Sequence, residues 1–226
     1  MKRLPIVFTI LLSLIFIPEV SAQKKKKRNI LKEIFGVSVN ETSDKFEGTT
    51  TYQMDGNRVF CDLSSTNALG NIIFGTDAPT FKTFLNLEKH ILKDGSYQLS
   101  ILFRVDAQNE QFAKVMEGES LVFLLDDGRL ELSTKGSFNS DFDINMTGVS
   151  SETNARYTIS KNQLKRIITS NNQEFRIILD SYRSGAAEER DKNDQHLDGS
   201  FTKKNKKVWN EFYSDYVINH IETKTN

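Results

Sequence analysis

From Lys45 onward the chain alternates. Phe46, Gly48, Thr50 and Tyr52 fall on one side of a two-residue period, with charged or polar neighbours between them, the pattern of a half-buried strand. Val59-Phe60-Cys61-Asp62-Leu63 follows the turn Asp55-Gly56-Asn57. An Asp-Gly pair between two such runs predicts a hairpin, because both central positions tolerate positive φ. Ile72 to Phe74 reads as a further short strand. Phe81, Thr83, Leu85 and Leu87 alternate with Lys82, Phe84, Asn86 and Glu88. Tyr97, Leu99, Ile101, Phe103 and Val105 share one face of the next run, joined to it through Lys93-Asp94-Gly95. Leu121 to Leu125 is nearly continuous in apolar residues, as in a strand covered on both faces, and Asp126-Asp127-Gly128 turns it into Arg129 to Ser133. Phe175 to Leu179 is another strand. Turns rich in Asp and Gly at this spacing predict antiparallel β architecture.

The period lengthens to that of a helix in two places. Ser160, with Gln163 three residues on, forms a capping box for a helix from Lys161 to about Thr169, and Leu164, Ile167 and Ile168 supply its apolar face. Thr202 caps a C-terminal helix reaching about Ile221, with Val208, Trp209, Phe212, Tyr213, Tyr216 and Val217 as one wide stripe. Ile159-Ser160-Lys161 and Phe201-Thr202-Lys203 each end a strand and open a helix. The fold expected is mainly β (α+β): an antiparallel β-sandwich or partly closed barrel, with one short internal helix and a C-terminal helix on a sheet face or over an open end. The Ser120 to Ser133 hairpin, followed by Tyr157-Thr158-Ile159 leading into a short helix, resembles exported bacterial β-rich domains of unknown function. That resemblance covers the later part of the chain and implies no activity, cofactor or site residue.

Ahead of this domain stands an export pattern. Lys2 and Arg3 precede an apolar run from Ile6 to Ile17, Pro18 ends it, and Val20-Ser21-Ala22 offers small residues for cleavage after Ala22. The run is shorter than the ~20 residues a membrane span needs. Lys24 to Arg28, just beyond the cut, opposes translocation and would favour retention of the segment as an uncleaved anchor. The organisation expected is a signal peptide at 1–22, a basic tail at 23–43, one β-rich domain at 44–221 and a short tail at 222–226. The product is exported, periplasmic or secreted, with no transmembrane segment left after cleavage.

Composition narrows the chemistry. Thirty Lys and Arg balance 30 Asp and Glu, which argues against a nucleic-acid binder driven by net charge. Cys61 is the one cysteine and has no intramolecular partner for a disulfide. Among candidate sites, Asn139, Asp141, Asp143, Asn145 and Glu152 fall at calcium-loop spacing, but Met146 stands where the loop needs glycine. Phe138, Phe142, Ile144 and Met146 alternate with the polar set, so a strand is the expectation. Asp191, Asn193, Asp194 and Asp198 read as a solvated loop, with His196 in place of the required glycine. There is no nucleophile elbow, no H-E-x-x-H pair and no Gly-rich phosphate loop. No cofactor and no metal are expected. Cys61 reads as a small buried hydrophobe.

One local rule is broken. Lys203, Lys204, Lys206 and Lys207 crowd the opening turns of the last helix, where the helix dipole favours negative charge. Either these lysines are solvated and balanced by Asp194 and Asp198, or they face an acidic partner, a protein or an anionic surface. The sequence therefore predicts a non-catalytic exported binding or accessory protein. The alternatives are a carrier of a small apolar ligand inside a barrel and, behind it, an extracytoplasmic hydrolase.

Overall fold

The computed structural model describes residues 36–65, 82–108, 111–136, 138, 141–145, 148–183 and 195–219. The signal-like segment, most of the basic tail, the expected strand at Ile72 to Phe74, Asn139 and the acidic stretch Asp191 to Asp194 lie outside these residues. The described strands are β1 (Ser38–Asp44), β2 (Thr49–Asp55), β3 (Arg58–Ser65), β4 (Lys82–Ile91), β5 (Tyr97–Gln108), β6 (Gln111–Lys114), β7 (Ser120–Leu125), β8 (Gly128–Ser133), β9 (Asp141–Asn145), β10 (Gly148–Ile159), β11 (Glu174–Arg183) and β12 (Gln195–Ser200). Helix α1 (Lys161–Thr169) lies between β10 and β11. Helix α2 (Lys203–Phe212) follows β12 and runs on into a π-helical turn, Tyr213–Ile218.

The strands pair antiparallel in the order β8-β7-β11-β12-β3-β4-β5-β10-β9, with β2 also on β4, β1 on β2 and β6 on β11. Strand β3 is the corner. Arg58 and Val59 pair with β4, whereas Phe60 to Ser65 pair with β12, so one strand serves two layers, as at the corners of packed sheets. The sheet does not close. Beyond β8 a single bridge, Thr134 to Tyr157, touches β10.

The inward faces are the ones the alternation marks. Leu85 and Leu87 of β4, Leu99, Ile101, Phe103 and Val105 of β5, and Leu121, Phe123 and Leu125 of β7 are buried. The C-terminal helix completes this core. Trp209 is fully buried, donates its indole N–H to Leu85 O at 3.1 Å, and has its ring 6.3 Å from that of Phe123. Its stripe thus joins β4 in one layer to β7 in the other. The π turn ends the stripe beside a buried cation. Lys89 Nζ donates to Tyr216 O at 2.6 Å and lies 4.7 Å from the centre of the Tyr97 ring. A carbonyl and an aromatic face are two of the groups that stabilise an ammonium withdrawn from water.

Five expectations change. Phe46 and Gly48, read on the first half-buried strand, lie in the turn between β1 and β2, and Phe46 is fully exposed. Asp55-Gly56-Asn57 does not close a hairpin, because β2 and β3 both run antiparallel to β4 and lie end to end along it. Gly56, at φ 88°, makes the kink between them, and a Cβ there would stand 2.7 Å from Gly36 O. Ser38–Asp44, read as the end of the tail, is strand β1, an edge strand whose residues 40–44 are exposed and so show no apolar alternation. Leu121 to Leu125 is covered on one face, for Leu124 is 48% exposed. Gln195–Ser200, read as part of a loop, is an interior strand between β11 and β3. Gly199 sits there against Phe175, where a Cβ would come within 2.6 Å of the ring. A sequence with one glycine, one leucine and four polar residues carries no strand signal; its partners supply the burial.

Candidate functional site

Both helices start as their caps dictate. Ser160 Oγ accepts from Gln163 N at 3.2 Å, and Gln163 Oε1 accepts from Ser160 N at 2.9 Å. At α2, Thr202 Oγ1 accepts from Asn205 N at 3.2 Å and Asn205 Oδ1 accepts from Thr202 N at 3.0 Å. Asn205, Val208, Trp209 and Phe212 face inward. With these four positions turned inward, Lys203, Lys204 and Lys207 are exposed and Lys206 is half-buried.

The four lysines do not act alike. Lys203, Lys206 and Lys207, with Asn210, Glu211 and Ser214, line an open groove of about 440 Å³ along the outer face of α2 and the π turn. Lys206 is also committed to the fold: its Nζ donates to Ser170 O. Ser170 is the C-cap of α1, where a cation meets the orphan carbonyls and the negative end of the dipole. Lys204 is exposed and, at 100° per residue, lies on the other side of Asn205 from Lys206. No acidic residue occupies the first turn of α2.

Asp198 does not balance these lysines. It receives two bonds from Arg176, Nε at 2.7 Å and Nη2 at 2.9 Å, and these hold its carboxyl below the ordinary value. Asp194 lies outside the described residues. Neither Lys203 nor Lys204 makes an ion pair among the described residues.

Two further residues, far away in sequence, lie near the start of α2. Asn205 Nδ2 donates to Arg58 O at 2.8 Å, which ties the start of β3 beneath the first turn of α2. Phe60 is the direct cross-strand partner of Ser200, two residues before the cap Thr202. Phe60 is 68% exposed, and the Arg58 guanidinium carbon lies 5.4 Å from its ring centre. The apolar run Val59 to Leu63 shows that Phe60 sits on a strand, but period alone does not say that its face is open.

The other candidates resolve individually. Asp141 lies directly opposite Glu152 in the β9–β10 pair, and Glu152 lies opposite Asp106 of β5, so the calcium-spaced segment is a strand. Among the described residues no three His, Cys, Asp or Glu side chains gather as a metal set. Asp106 has its pKa raised, first by burial and then by Glu152 and Asp55, against the opposing pull of Arg104 and Lys82. His90 Nδ1 lies 2.8 Å from Thr51 Oγ1, and His196 Nε2 lies 3.4 Å from Asp198 Oδ2. Cys61 is half-buried on β3 against the core. The Tyr157 hydroxyl is buried and has no hydrogen-bond partner among the described residues. Burial, and then the charge of Glu119, push its pKa up. Compared with known proteins, the chain matches no family model, no curated protein and no solved structure.

Proposed function

We propose that this chain is an exported, non-catalytic accessory protein that binds an acidic partner protein through the basic face of α2. The observation that carries the reading is the groove lined by Lys203, Lys206 and Lys207 at a helix start without an acidic residue. Cations placed against a helix dipole lose a few tenths of a kcal/mol each, and Asp198, the carboxylate that precedes the lysines among the described residues, is engaged by Arg176. The N-terminal pattern of basic flank, apolar run and small-residue site supports export. The carrier reading has less support, because Trp209, Phe212 and Phe123 occupy space between the layers.

The test is fluorescence anisotropy of a labelled glutamate-rich peptide against the purified exported chain, at low and high salt. Binding should fall with salt and be lost in the double variant Lys203→Glu, Lys207→Glu, whose thermal melt stays that of the wild type. Binding that survives the charge reversal refutes the assignment of this face.

A further inference from the structure

We propose that Arg58 and Phe60 complete the basic face as a composite docking surface, and that the partner segment it takes is an acidic stretch carrying an aromatic or large aliphatic side chain that lies on Phe60. This rests on the reading of α2 as the docking element and names the chemistry of its partner.

Three observations converge. Among the described residues Arg58 has no ion-pair partner, whereas every other arginine whose side chain is described has one: Arg104, Arg129, Arg156, Arg166 and Arg176. Its guanidinium carbon lies instead 5.4 Å from the centre of the Phe60 ring. Stacking holds a guanidinium in orientation while leaving donors for a carboxylate. Phe60 is a large apolar side chain left 68% exposed on a strand with β12 on one side, beside the root of α2. Aromatic residues, Phe among them, and arginine are enriched at protein interfaces. Finally, the Asn205 bonds to Arg58 O and to Asn57 Oδ1 fix these two elements to each other, so the surface is preorganised and binding need not order it.

The charge pattern selects a peptide over a uniform polyanion. Glu211 lines the groove with the lysines, and Glu174 lies in the same cross-strand row as Phe60, paired with Ser200. A phosphate backbone would meet both carboxylates, whereas a segment of mixed side chains can place its own acids only against the cations.

Two acidic peptides identical but for one Phe or Ser near the middle test this by anisotropy against the wild type, Phe60→Ala, Arg58→Ala, and the double variant Lys203→Glu, Lys207→Glu. The wild type should bind the Phe peptide about tenfold more tightly than the Ser peptide, the size of one good anchor. Phe60→Ala should erase that difference and leave the Ser peptide unchanged; Arg58→Ala should weaken both. Equal affinity for the two peptides, or a difference that persists in Phe60→Ala, overturns the proposal while leaving the basic face standing if the charge reversal still abolishes binding. Binding of neither peptide, or tighter binding of single-stranded DNA or anionic vesicles than of both, overturns both readings.

Discussion

The carboxamide of Asn205 joins the C-terminal helix to the strand kink by donating to Asn57 Oδ1 at 2.9 Å. Both residues are almost completely buried, and Asn57 in turn donates from Nδ2 to Leu85 O at 2.6 Å and from its backbone N–H to Asn86 Oδ1 at 3.1 Å. Removing either amide strands the partners of the other away from water. Asn205→Ala should therefore lower unfolding free energy by about 2 kcal/mol, with Asn57→Ala similar. Because the two share one network, the double variant should cost less than the sum. Urea denaturation of the four proteins at constant m-value measures this, and simple additivity would show that the bond contributes little.

Glycine spacing gives a second contrast. At Gly56 an alanine meets both a positive φ of 88° and Gly36 O at 2.7 Å, and at Gly199 it meets the Phe175 ring at 2.6 Å; at Gly95, φ 84°, nothing stands within 4 Å. Gly95→Ala should cost about 1 kcal/mol from backbone conformation alone. Gly56→Ala and Gly199→Ala should each cost more, through the clash and the shift it forces. Equal losses at all three positions would mean that the close approaches relax freely.

Tyr157→Phe should leave stability unchanged or raise it by up to about 1 kcal/mol, since it removes a buried hydroxyl that has no partner among the described residues. A thermal melt lowered by several degrees would show instead that the hydroxyl is satisfied in solution.

Trp209 is the one tryptophan in the chain, and it is fully buried at the junction of the layers. Its emission should be blue-shifted and resistant to acrylamide quenching, and should shift red in the same transition that abolishes strand circular dichroism. Trp209→Ala should destabilise by about 3–5 kcal/mol. A red-shifted native spectrum would place the helix outside the core.

Acid should unfold the protein through identifiable carboxylates. Asp126 is held below its ordinary pKa by the Asn171 and Asn172 backbone N–H groups, Asp127 by Arg166, and Asp198 by Arg176. Folded values below the unfolded one mean that this stability is present above the unfolded value of about 3.9 and is lost as pH falls through the lowered values. Asp106 has the opposite sign: its raised pKa makes ionisation unfavourable in the fold, so its contribution declines as pH rises from the unfolded value through the raised one. Urea midpoints measured across the acid range should fall steeply below pH ~4, and less steeply in Asp198→Asn. An unchanged slope in that variant would remove the Arg176 pair from the explanation.

Local order determined much of this protein before any long-range contact. The alternation of β4, β5 and β7, the Asp-Gly turns at 93–95 and 126–128, the cap at Ser160 and the stripe through Trp209 rest on interactions within a few residues or on one repeating period. The lysines could likewise be singled out by their position against the helix dipole. Pairing partners were hidden because they are chosen between segments far apart. β12 has little apolar pattern and becomes a strand only between β11 and β3. The Asp55-Gly56-Asn57 turn looks like a hairpin until β4 aligns both of its arms. Tertiary structure also divided the lysines, giving Lys206 to the end of α1, and brought Arg58 and Phe60 to the root of α2. A single strand shows which residues share a face; which face stays open depends on what packs against it.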